Sequence, residues 1–394
     1  MEMKKTIRLF LIAGLALLAF SCQKADKYSG QEIRFTASAE PQTKTAYGPY
    51  NATDPNQATQ QEIHWVEGDQ IVIISDNAVK RYNANQHYSV YDIVDIDPNS
   101  LNKAKLDNPA SDPNGLVYDE DKMGDSDYNF MAIYPASAEV VNNIASVFTY
   151  AGDTPGPIPE DSYMFKIPGN QSMPVDEELI VDGTGNVTIP ADMSLAYMMA
   201  EAEKRPWMAY HDYTGTINLQ FYPVFTAFEV ILTAAPVFEG ESITLTSVDF
   251  IYGETIIEGG TDAKGNGQEE KKEWAGKVTF YEKFKDYEPL VYTFPQGTAV
   301  EAGKTLTFTA FALPLNDNIK GNSYNHLTLK FNLADGQVRT ATLTNKDDAS
   351  PISFAPRKKH RLYVLAVPGG FKMFATEAEL QVEILNQQDH DINF

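Results

Sequence analysis

Cysteine is almost absent, since Cys22 is the only one in 394 residues. That excludes an intrachain disulfide framework and a thiolate zinc site. Histidine is scarce too: the six are scattered and none falls in a His-Glu-x-x-His spacing, so the zinc-hydrolase pattern is missing. Basic residues are outnumbered, 31 Lys and Arg against 54 Asp and Glu, for a formal charge of −23. A phosphate backbone needs a basic footprint, and nucleic acid is not expected as a partner. The one dense basic run, Arg357-Lys358-Lys359-His360-Arg361, abuts a strand-like segment and reads as its solvated start. The chain also lacks an apolar run of spanning length. The run Leu9 to Phe20 is short of the ~20 residues a membrane helix requires.

That short run is still informative. It comes after Lys4, Lys5 and Arg8 and ends at Ser21-Cys22, the layout of an export signal. The Leu15–Cys22 stretch resembles the bacterial lipoprotein box, with one departure: Leu18 stands one position early and Ala19 takes its place. Residues 1–21 are expected to be a signal peptide and Cys22 the lipidated first residue, which places the protein at the outer membrane through an N-terminal lipid. Loss of three basic residues and Glu2 takes the formal charge from −23 to −25. No thiol then remains, so the fold must be held by burial and sheet hydrogen bonds, which the 21 Phe, 21 Tyr and 3 Trp can supply.

Downstream of Cys22 the chain is strand-rich. Residues 22–31 are polar and read as a tether. Ile33, Phe35, Ala37 and Ala39 then alternate with polar neighbours, the period of two of a half-buried strand. Further strands are expected at Ile71–Ile74, Tyr88–Ile96, Phe130–Tyr134, Val147–Tyr150 and Val187–Ile189. Met193–Lys204 reads equally as a short helical turn or a Met-rich strand. A second set runs from Leu219 to Ala366. Within it, Leu327–Leu333, Asp335-Gly336 and Val338–Leu343 carry the strongest hairpin signal in the chain, and Gly259–Lys272 reads as a loop. The chain is therefore expected to be all-β, with an N-terminal sandwich over 32–212 and a C-terminal one over 213–367. Over 368–394 a Pro-Gly-Gly linker precedes one more alternating segment, Ala378, Leu380, Val382 and Ile384.

In order, Cys22, Ile33-Arg34-Phe35-Thr36-Ala37-Ser38, Thr43-Lys44-Thr45, Trp65-Val66-Glu67-Gly68-Asp69-Gln70-Ile71, Phe225–Val230, Phe311-Ala312-Leu313-Pro314 and Phe354–Leu362 resemble the fimbrillin-like proteins of Bacteroidota, the subunits of type V pili. The resemblance covers most of the chain beyond the signal and rests on the order of the motifs. It implies two transthyretin-like β-sandwich domains in tandem, a lipoprotein at the cell surface, and a role in adhesion to a host or bacterial ligand. It also implies partners that are other pilin subunits, joined by strand exchange. In that family a protease specific for arginine, or trypsin-like, removes the first strand, and a neighbour's C-terminal strand fills the groove. Ile33–Ala39 is then the candidate removable strand and Ala378, Leu380, Val382 and Ile384 the candidate donor. Arg34 lies inside the first strand and the next arginine is Arg81, so Lys44 is the candidate processing point.

Enzyme chemistry finds no constellation, and neither a cofactor nor a metal is expected. Gly183-Thr184-Gly185 begins like a dinucleotide loop but reads as a turn. Asp119–Gly124 begins like a calcium loop and fails at Met123 and Phe130. Two other functions fit the same residues. One is a pilus anchor that keeps its lipid; the other is a glycan-binding outer-membrane lipoprotein using Trp207, Trp274 and the Tyr82–Tyr91 region as an aromatic platform.

Overall fold

The computed structural model describes residues 32–39, 46–47, 63–118, 128–150, 158–205, 216–236, 242–254, 270–271, 273–280, 284–313, 324–344 and 359–391. The signal, tether, Cys22, Lys44, the Asp119–Gly124 loop, Trp207 and most of the 259–272 loop lie outside them. The described chain is predominantly β. It opens with β1 (Phe35–Ala39), β2 (Gln70–Ser75), β3 (Tyr88–Val94), β4 (Lys103–Asp107) and β5 (Tyr128–Tyr134). Helix α1 (Ala138–Phe148) comes next, then β6 (Tyr163–Ile167), β7 (Asn170–Ser172), β8 (Ile180–Val181) and β9 (Val187–Thr188). The chain continues through β10 (Met198–Arg205), β11 (Ile217–Pro223), β12 (Thr226–Ala234), β13 (Ser242–Glu254), β14 (Glu273–Thr279), β15 (Phe284–Thr293) and β16 (Thr305–Ala312). The last elements are β17 (Tyr324–Leu333), β18 (Val338–Thr344), β19 (Lys359–Val367), β20 (Gly370–Phe374) and helix α2 (Glu377–Asp391).

The first unit is a closed barrel of order β1-β11-β10-β5-β2-β3-β4, where a sandwich was expected. The second sets two sheets face to face, one of order β6-β14-β15-β13-β17-β18 and one of order β8-β9-β16-β12-β19-β20. Phe228, Trp274, Phe250, Tyr292 and Phe308 fill the core between them. The expected boundary at 213 cuts through the barrel, because β11 pairs with β1 and β10. Residues 163–188, expected in the first unit, pair instead with strands of the second. Long-range pairing of this kind leaves no trace in local periodicity.

Pattern and burial agree well in β2. Ile71 and Ile73 point into the barrel, while Val72 and Ile74 join Ile133, Met199, Phe165, Phe225 and Phe311 in a cluster between the units. A strand covered on both faces reads as an unbroken apolar run, which is what Ile71-Val72-Ile73-Ile74 is. The Met193–Lys204 ambiguity resolves into a short 3-10 turn, Met193–Leu195, and then β10. The Leu327–Leu343 hairpin forms as expected, with Leu327 facing Leu343 and Leu329 facing Ala341.

Two segments read as strands fall partly or wholly in helices. Of Val147–Tyr150, Val147 and Phe148 end α1, and Thr149 forms an isolated bridge to Gln86. Ser137 caps α1 by accepting a hydrogen bond from Val140 N, and Val140, Ile144 and Val147 are buried at helical spacing. The second is the proposed donor segment, which forms α2. Thr376 and Glu379 close a reciprocal capping box: Glu379 N donates to Thr376 Oγ1 and Thr376 N to Glu379 Oε2, both at 3.3 Å. Leu380 and Ile384, four residues apart, lie together against Ala235, Tyr363 and Leu365. Ala378, Leu380, Val382 and Ile384 therefore share no face: Ala378 is exposed and Val382 is 59% exposed.

Candidate functional site

The geometry that bears on the implied strand exchange lies at β1. Alternation sends Phe35, Ala37 and Ala39 inward, with Ile33 just before them, and all four are at most 4% exposed. Phe35 packs edge-on against Tyr91 and Phe130, with ring centroids 5.3 and 5.4 Å apart. On one side β1 runs parallel to β11, with Phe35 opposite Ile217, Ala37 opposite Leu219 and Ala39 opposite Phe221. On the other it runs antiparallel to β4, with Ala37 opposite Ala104. Every other junction around the barrel is antiparallel. Strand β1 thus closes the barrel against a strand about 180 residues later, with an orientation that no hairpin could produce.

Polar groups fix its ends and outer face. Ile33 N donates to Leu116 O and Ala39 N to Asn102 O, both at 3.0 Å, and Asn102 Nδ2 returns a bond to Ala39 O at 3.1 Å. Thr36 Oγ1 donates to Asn218 Oδ1 at 3.2 Å, and Ser38 and Asn218 are linked at 3.3 Å. Glu32 accepts from Asn108 and lies 4.0 Å from the Arg81 guanidinium. Asn102 and Asn218 were not legible as partners of β1, nor Arg81 as a neighbour of Glu32, because each is distant in sequence and ordinary where it stands.

The candidate donor residues lie on α2, against the outer face of the second unit, and share no element with β1. The Arg357–Arg361 run is not a solvated start where it is described. Lys359 Nζ lies 2.6 Å from Glu229 Oε1, Arg361 pairs with the other carboxylate oxygen, and all three side chains are largely buried. Burial alone would raise the Glu229 carboxyl, but the two cations outweigh it and hold it below the ordinary carboxylate range. Burial pulls the Lys359 ammonium below its usual value; Glu229, facing two cations, is the group whose ionisation the site favours. The aromatic platform does not form among the described residues: Trp274 is fully buried, Tyr91 is 2% exposed and Tyr88 packs on the cluster between the units, leaving Tyr82 as the exposed ring of the Tyr82–Tyr91 region. Gly183–Gly185 is the turn of the β8–β9 hairpin, with Asp182 Oδ1 accepting from Thr184 N at 2.8 Å and Asn186 N at 2.9 Å.

No protein-family profile and no curated protein matches the sequence. Among solved structures the chain is similar to a "putative cell adhesion protein" from Bacteroides ovatus, at 12% identity over 89% of this chain and 97% of that one, TM-score 0.40. It is similar to a second so described from Bacteroides uniformis, at 11% identity over 88% and 97%, TM-score 0.39. A fimbrial assembly protein from Parabacteroides distasonis is similar at 10% identity over 87% and 94%, TM-score 0.35.

Proposed function

We propose that this chain is a structural subunit of a surface fimbria, exported as an outer-membrane lipoprotein on Cys22 and joined to its neighbours by exchange of β-strands. The observation that carries the proposal is the place of β1. It is the first strand among the described residues, it is paired on both sides, and its inward side chains complete the barrel core. Without it, β11 and β4 would each present an unpaired edge over an apolar slot. Ile33 and Phe35 each contribute roughly 1.5–3 kcal/mol by burial, so the emptied slot gains as much by accepting an alternating apolar strand from another subunit. Cleavage at Lys44 would free the lipid and β1 together and make a shaft subunit. An uncut chain keeps both, fills its own slot and serves as an anchor.

The test compares the full chain with one lacking residues 22–44. The shortened chain is expected to give heat-labile ladders on unboiled gels, while the full chain stays monomeric. A synthetic peptide of residues 31–41, added in excess, should cap the ladders by refilling the slot. Ladders from both chains, or a shortened chain that binds the peptide but never polymerises, would remove the basis for strand exchange.

A further inference from the structure

Away from the barrel, three stretches meet at one end of the second unit: the start of β13, the β17–β18 turn and the β19–β20 turn. They line a half-open cleft of about 520 Å³, within the ~300–1,000 Å³ of small-molecule sites. Ile243, Leu333 and Phe371 supply apolar lining, and Asp335, Gln337 and Arg339 a polar rim, of which Asp335 and Gln337 are exposed. The rim is held by its own turn. Leu333 N donates to Gln337 O at 2.9 Å, Gly336 N to Leu333 O at 3.0 Å, and Ala334 N ties the turn to Thr244 O at 2.9 Å. Gly336 takes φ +83°, which favours glycine.

Within the rim Gln337 N donates to Asp335 Oδ1 at 2.9 Å, and Arg339 Nη2 donates to Gln337 Oε1. Asp335 and Arg339 are thus each engaged with Gln337, which tempers the bare charge of both. One carboxylate and one guanidinium leave these lining side chains without net charge in a chain of formal charge −23, so an anion meets a repelling field. A lining that combines donors and acceptors with apolar side chains suits a pyranose ring, which carries both hydroxyls and C–H faces. We propose that this cleft binds a neutral sugar one or two rings long. The assignment is independent of strand exchange, since no strand of the barrel contributes to it.

The test is saturation-transfer NMR on the full chain with cellobiose, maltose and lactose. A galacturonic acid dimer serves as anionic probe and glycyl-leucine as zwitterionic probe. At least one neutral disaccharide is expected to bind with Kd on the order of 1 mM. Arg339→Ala should weaken it at least about tenfold. Ala334→Trp, an exposed position at the mouth, should abolish it with the far-UV spectrum unchanged. The proposal fails if no neutral disaccharide binds, if both variants bind like the parent, or if either charged probe binds more tightly than every neutral one.

Discussion

Glu229 sits on β12 between Thr309 of β16 and Arg361 of β19, with Lys359 two residues along the same strand face. Its carboxylate separates two largely buried cations. Removing one member of such a group costs far more than the group contributes over an apolar replacement. Glu229→Gln is expected to lower stability by about 3–5 kcal/mol, read from the urea midpoint, and Lys359→Met by less, because Arg361 keeps the carboxylate. The carboxyl titrates lower in the folded chain than its ordinary 4.5. Its contribution is therefore complete above that value and is lost as pH falls through the depressed one. The gap between parent and Glu229→Gln should narrow on acidification from pH ~6 to pH ~3; a gap independent of pH would mean that the carboxylate contributes no linked charge. Nothing near Lys359 in the sequence announced this partner, since Glu229 lies 130 residues away.

At the scale of elements, most strands were legible and most of their neighbours were not. Alternation in β1 and β17 and the unbroken run in β2 report burial of one face or both, which is a local property. Helix α2 shows where the period misleads. Residues spaced by two also include the pair four apart that a helix buries, and Leu380 and Ile384 satisfy both patterns; the deciding signal was Thr376-x-x-Glu379, the capping box. Thr376→Ala should cost about 1 kcal/mol. The strand-like alternation nevertheless yields a sharper expectation. Val382, 59% exposed on the helix, joins the inward face with Leu380 and Ile384 only if the segment leaves α2 and extends. Val382→Asp should then change the stability of the isolated chain by less than ~0.5 kcal/mol while abolishing ladders, because a charge would enter an apolar slot. Normal ladders from Val382→Asp would exclude 378–384 as the donor.

Over the whole molecule, the two units are not beads on a string. The chain leaves the barrel after β5, lays β6–β9 onto the second unit, and returns for β10 and β11 before completing that unit. Where it crosses, Phe165 stacks on Tyr197 at 4.2 Å. Gln171, 5% exposed, donates to Phe311 O at 2.6 Å and accepts from Phe311 N at 2.9 Å. The outer barrel face, Val72, Ile74, Ile133 and Met199, shares one cluster with Phe165, Phe225 and Phe311. Neither unit can lose its fold without exposing this cluster on the other, so a single calorimetric transition is expected. Phe165→Ala, at a fully buried ring, should lower that transition as a whole by about 3–5 kcal/mol rather than split it. A nick between residues 206 and 215 should release no stable half, because β11 stays clamped between β1 and β10. Two resolved transitions, or two soluble fragments after such a nick, would show that the shared cluster does not couple the units.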